Sequence, residues 1–156
     1  MGLVLKGIHS PADPEVSVDP YVPLTLQWPK YLATLSQPDS VVLSERGVTV
    51  EIKTSPVDGE ILEFILVEGG SVRVDRSVSM TMPEYTPGVP LLVGATEVGY
   101  EPSVHLYANG IRVQFNLHAP MKNIGSARAV FGFSEAGQMV CLDVPLSPSE
   151  AEVVSP

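Results

Sequence analysis

The stretch VHLYANGIRVQFNLH, residues 104–118, decides the fold class. Apolar and polar residues alternate on both sides of Asn109-Gly110. Asn-Gly is the strongest short hairpin signal, because both central positions of a type I′ turn take positive φ. With Asn109 and Gly110 as the loop, Leu106 is expected opposite Val113 and Val104 opposite Phe115, all apolar. His105 then meets Gln114, and Tyr107 meets Arg112. One side of the ribbon is apolar and the other polar, the pattern of an antiparallel sheet with one wet face.

A second hairpin is expected downstream. Arg128–Phe133 leads into Glu135-Ala136-Gly137, and Met139–Val144 returns, with Gly137 at the left-handed position of a three-residue loop. Phe133 should face Met139, and Phe131 should face Cys141. Upstream, Gly2–Ile8, Val22–Trp28, Val41–Leu43 and Val48–Lys53 read as strands. In the last of these Val48, Val50 and Ile52 share one face. ILEFILV (61–67) is nearly all apolar, as in a strand buried on both faces. Gly69-Gly70 predicts a turn that brings Val72 opposite Val67 and Val74 opposite Ile65. Ser10–Pro20 and Thr81–Gly94 read as proline-rich connections, the second with edge pairing at Leu91–Val93. Pro29 can open one helical turn through Tyr31–Leu35.

The expected fold is therefore all-β: an antiparallel β-sandwich or flattened barrel of about eight to ten short strands, with at most one short helix. The 156 residues suit one domain over 1–146, followed by an acidic, frayed tail at 147–156. Proline stands at 15 of 156 residues, roughly twice the usual share, which disfavours helical bundles and nucleotide-binding α/β folds.

Nine Lys and Arg against 18 Asp and Glu give a net charge of −9, and the basic residues form no stripe. Nucleic acid and anionic membrane surfaces are disfavoured, since nothing neutralises phosphates. A basic protein partner is favoured by the same charge. Cys141 is the single cysteine, so no intrachain disulfide can form, which fits a cytoplasmic setting. The N-terminal MGLVLKGIHS carries no signal-peptide pattern, and no apolar run reaches membrane-spanning length.

Catalytic signatures are sparse. His105 and His118 lie too far apart along the expected hairpin to share a metal, and His9 has no expected neighbour. The acids Asp13, Glu15 and Asp19 lack the spacing of a calcium loop. No G-x-S-x-G elbow occurs, and Cys141 should sit buried and inert beside Phe131. Glu60 and Glu63 should fall on opposite faces of their strand. No cofactor or metal is expected.

One constellation remains. His105, Tyr107, Arg112, Gln114, Asn116 and His118 should share the polar face of the hairpin, mixing aromatic, cationic and amide groups of the kind enriched at interfaces. The plainer alternative is the wet side of a sheet. If this face is the site, replacing Tyr107 and Arg112 by Ala should abolish binding and leave the fold intact. A second, acidic surface is expected from Asp13, Glu15, Asp19, Glu150 and Glu152.

A faint internal echo sets RGVTVEIK and DGEILEFILV beside NGIRVQFN and AGQMVCLDV. The glycines are spaced unequally, Gly47 to Gly59 against Gly110 to Gly137. Residues 128–150, RAVFGFSEAGQMVCLDVPLSPSE, and 48–67, VTVEIKTSPVDGEILEFILV, share a cadence of strand, glycine turn and apolar return strand. This is similar to small bacterial all-β immunity-type proteins encoded beside secreted toxins. The resemblance covers hairpin grammar and carries over no functional residue. It implies an acidic cytoplasmic binder that blocks a toxin's active site. The expected function is thus a non-enzymatic protein-binding module. The alternative is a carbohydrate- or small-ligand-binding sandwich, in which Trp28, Tyr31, Tyr100 or Tyr107 would line a groove.

Overall fold

The computed structural model describes residues 1–33 and 36–154, with Leu32 described in its backbone alone. The fold is all-β and sandwich-like. Its sheets do not close into a barrel. It is built from two repeats of the same six strands. The first repeat comprises β1 (Gly2–His9), β2 (Glu15–Ser17), β3 (Leu24–Gln27), β4 (Asp39–Glu45), β5 (Val48–Thr54) and β6 (Ile61–Gly69), with the short helix α1 (Pro29–Ala33) after β3. Two short strands follow, β7 (Arg73–Asp75) and β8 (Thr86–Pro87). The second repeat comprises β9 (Val89–Ala95), β10 (Ser103–Tyr107), β11 (Gly110–Gln114), β12 (Lys122–Ser126), β13 (Ala129–Phe133) and β14 (Met139–Pro145), before helix α2 (Pro148–Val153).

The five-stranded sheet has the order β2-β3-β6-β5-β4. The seven-stranded sheet runs β7-β10-β11-β14-β13-β12-β8, which is the same order in the second repeat with one added strand at each edge. Details repeat as well. Gln27 pairs with Glu63 on β6, and Gln114 pairs with Cys141 on β14. A bulge skips Leu62 in one sheet and Val140 in the other. The residues after β3 and β11, Trp28 and Phe115, donate their N–H groups to those skipped residues, at 3.0 and 2.7 Å. The lead strands β1 and β9 pair with each other, antiparallel.

Alternation explains the core. Leu24, Leu26, Val50, Ile52, Phe64 and Leu66 of the first sheet face Val104, Leu106, Val113, Phe131, Leu142 and Val144 of the second. Aromatic residues bind the sheets across the middle, Trp28 on Phe131 at 5.9 Å and Phe115 on Phe64 at 6.1 Å between ring centroids. Among the described residues no helix is long and apolar enough to cross a membrane.

Several expectations need correction. Fourteen strands form among the described residues rather than eight to ten, and two helices rather than one. Two strand pairs are parallel, β7 on β10 and β8 on β12. β2 lies inside the expected Ser10–Pro20 loop, and β12 was not expected at all. Within the tail expected at 147–156, residues Pro148–Val153 form α2, and 155–156 lie outside the described residues. Ser147 caps the helix and makes a reciprocal capping box with Glu150, Pro148 opens it, and Ala151 is buried. Helix α1 opens at Pro29 as expected, and Leu35, its expected end, lies outside the described residues. The Val67–Val72 and Ile65–Val74 pairings do not form. β3 and β5 already occupy both sides of β6, so no edge is free for a return strand, and β7 pairs with β10 instead.

The hairpin of the opening stretch exists, with its loop one residue earlier, at Ala108-Asn109. Val104 therefore faces Val113, and His105 faces Arg112. This two-residue slip of register preserves both faces. The cause is tertiary. Asn109 Oδ1 accepts from Met80 N at 2.6 Å, and its Nδ2 donates to Met80 O at 3.0 Å. Gly110 is needed for space rather than for φ, since a Cβ there would lie 2.9 Å from the backbone oxygen of Val144. The turn with two positive φ values is Arg46-Gly47, at 52° and 77°. In the second hairpin Phe133 faces Met139 as expected, but the bulge sets Phe131 opposite Leu142 rather than Cys141. The echo is also reassigned. DGEILEFILV does correspond to AGQMVCLDV, but topology matches β5 with β13 rather than with β11.

Candidate functional site

The expected hairpin face is only partly assembled. His105, Tyr107, Arg112 and Gln114 alternate outward on β10 and β11, half-buried. Arg112 is committed: its Nε and Nη2 reach the two oxygens of Asp143 at 2.6 and 3.0 Å, and Asp143 is 2% exposed. That bidentate pair raises the Arg112 pKa. Burial, then Arg73 and Arg112, hold the His105 pKa down, and its ring lies 6.2 Å from that of Tyr107. β11 ends at Gln114, so Asn116 and His118 leave the face. Asn116 is buried, with its Nδ2 on Met139 O at 2.9 Å and its Oδ1 accepting from His118 N at 3.0 Å. It is a loop-holding residue. His118 is exposed in the middle of that loop.

The aromatic candidates scatter too. Tyr100 donates its hydroxyl to Val48 O at 3.0 Å, and Tyr31 lies beneath Lys53. Cys141 is buried, as expected, and burial followed by the nearby Asp143 pushes its thiol up to about 11. Of the acidic surface, Asp13, Glu15, Asp19 and Glu152 are exposed, whereas Glu150 is held by the capping box and by Arg128 at 3.7 Å.

The concentration of charge that the sequence did not reveal is on the first repeat. A groove of about 480 Å³ opens between the ends of β1 and β3, the start of β6 and Val89. Trp28, Ile8, Ala12 and Val89 supply apolar walls, Lys30 and Glu60 supply charge, and His9 supplies a ring nitrogen. A second hollow of about 440 Å³ between α1 and the Ser55–Gly59 turn shares Lys30 and adds Asp58. Glu60 is 4% exposed and receives His9 Nδ1 at 2.5 Å and Lys30 Nζ at 3.3 Å. Asp58 lies 3.6 Å from His9, and the backbone N–H of Glu60 holds its carboxyl below the usual range.

The turn places these groups. Gly59, at φ 79°, lets the chain reverse so that Glu60 bridges to Leu91 at the mouth of β6. The second repeat shows what the fold itself requires. By register and spacing, Ala95 stands for His9, Leu117 for Lys30, Ala136 for Asp58 and Gln138 for Glu60. The same architecture forms there without a charge at any of the four positions. The cluster is an addition to the repeat, and a buried carboxylate is costly unless paired. No local motif could have exposed it, since its members lie at positions 9, 30, 58 and 60 and meet only in the fold. No family model and no curated protein matches the chain.

Proposed function

We propose that the chain is a non-enzymatic protein-binding module that takes a basic partner, with the charged groove of the first repeat as its contact. The observation that carries this reading is the difference between the repeats: Glu60 in the groove and Asp58 in the adjoining hollow stand against one lysine, Lys30, which lines both, and the second repeat has no charge at the corresponding positions. Apolar walls around Trp28 give a partner side chain something to bury against, and net charge of −9 steers a basic surface toward the groove. Arg112 is tied to Asp143, and the Cys141 thiol is protonated and buried.

The specific form favoured by the sequence resemblance is a cytoplasmic immunity-type inhibitor that covers the active site of a basic toxin. Affinity capture with the full chain as bait, from the organism that makes it, tests this. One stoichiometric basic protein is expected, and less of it should be recovered with Asp58→Asn. Trp28, buried at the wall of the groove, also serves a second reading, a sugar or other small ligand held in the groove. An empty capture together with a ligand that quenches Trp28 fluorescence would support that reading instead.

A further inference from the structure

The repeat provides a comparison for sheet edges as well as for the groove. In the second repeat both outer strands are covered by the chain itself. β7 lies parallel on β10, and β8 lies parallel on β12, where Gly88 N–H donates to Gly125 O at 3.0 Å. In the first repeat the corresponding strands, β2 and β4, have no neighbour on their outer sides among the described residues. An open edge is a template for another strand unless it is short, charged or broken by proline. β2 has three residues and sits between Pro14 and Pro20, so it is protected. β4 has seven residues in unbroken register with β5.

Hairpin geometry fixes which groups of β4 are open. Glu45 and Val48 close the two-residue Arg46-Gly47 turn and form a hydrogen-bonded pair. By alternation Leu43 and Val41 also bond to β5, and Ser40, Val42 and Ser44 turn their N–H and C=O groups outward. The second repeat follows the same rule: Gly125, which corresponds to Val42, is the residue that β8 engages.

We infer that β4 is a docking edge, on which an extended basic segment of a partner chain adds as an extra strand. The inference rests on the proposed basic protein partner and names the surface that holds its backbone. Charge selects the occupant. Asp39 and Glu45 are exposed on β4, and Glu51 stands beside Ser40 at 3.0 Å, against one cation, Arg46, in the turn. Lys53 is spent on Glu63 at 3.0 Å. A second copy is disfavoured, because antiparallel pairing of two β4 strands about Val42 sets Asp39 of each against Glu45 of the other. Lysines on an added strand would face carboxylates instead. Val42, 58% exposed, would gain cover from an apolar residue of that strand.

The test is a titration of the isotopically labelled full chain with a short synthetic peptide alternating lysine with valine and threonine, read by amide chemical shifts. The glutamate-for-lysine peptide is the control. Shifts at Ser40, Val42 and Ser44 are expected with the lysine peptide alone. Val42→Pro removes one outward N–H and leaves the β4–β5 ladder intact, so it should weaken binding about tenfold. Equal shifts with the glutamate peptide, or unchanged affinity in Val42→Pro, would overturn the inference. Shifts confined to the Lys30–Glu60 groove would overturn the β4 edge and sustain the basic-partner reading. No shift anywhere at millimolar peptide would count against both. Shifts at β4 that grow with protein concentration alone would assign the edge to a second copy.

Discussion

Leu5 and Leu92 face each other across the β1–β9 ladder, and each donates its N–H to a glycine of the opposite repeat. Leu5 reaches Gly137 O at 2.7 Å, and Leu92 reaches Gly59 O at 2.8 Å. The lead strands are thus exchanged: each repeat is latched by the first strand of the other. The two glycines have φ of 79° and 82° and stand two residues before the central strands β6 and β14.

The latches differ in tolerance. A Cβ on Gly137 would have its nearest neighbour at 3.6 Å, so Gly137→Ala should cost only the left-handed strain, about 1–2 kcal/mol. A Cβ on Gly59 would lie 2.3 Å from Leu92 O, a backbone atom. Gly59→Ala should therefore be clearly the more destabilising of the two in urea denaturation. Equal losses would mean that the latches are equivalent.

Asp143 depends on Arg112. The carboxylate is buried, and Arg112→Ala would leave it uncompensated, at a cost of about 3 kcal/mol in unfolding free energy. Replacing both residues by apolar ones of similar size should recover much of that loss. Arg112→Ala is therefore unsuitable as a surface probe of binding, contrary to the expectation from the sequence. Denaturant midpoints of the single and double variants check this.

Cys141 should be slow to alkylate. With its pKa raised to about 11, roughly a thousandth of the thiol is ionised at pH 8, and the sulfur is buried as well. Iodoacetamide should label the native chain far more slowly than the urea-unfolded chain. Matching rates would contradict the buried position.

His105 should set a pH dependence of stability. Its pKa is lower in the fold than the usual 6.5, so between the two values the unfolded chain binds a proton that the folded chain does not. Stability should fall as pH drops through 6.5, down to the folded pKa. Melting temperatures across that window should be flatter for His105→Gln than for the parent chain.

The sequence made the apolar alternation legible, and with it Val48–Val50–Ile52, the apolar strand 61–67, and both faces of the 104–118 hairpin. Topology was less legible. Gly69-Gly70 resembles a hairpin turn locally, yet β6 has no free edge to offer. Asn109-Gly110 resembles a type I′ loop, yet Asn109 is drawn to Met80. The repeat was nearly silent, because Phe64 and Leu142, or Trp28 and Phe115, satisfy the same packing with different side chains. The groove was silent for another reason: His9, Lys30, Asp58 and Glu60 are brought together by strand pairing, and none is unusual in its local context.

The most direct test of the account is calorimetry of the captured basic partner against the parent chain and Asp58→Asn. Asn keeps an oxygen for the Glu60 N–H and removes the carboxylate of the adjoining hollow, which lies 3.6 Å from His9 at the groove. One-to-one binding is expected, weakening about tenfold or more in the variant and weakening with added salt. Unchanged affinity in Asp58→Asn would contradict the groove as the contact.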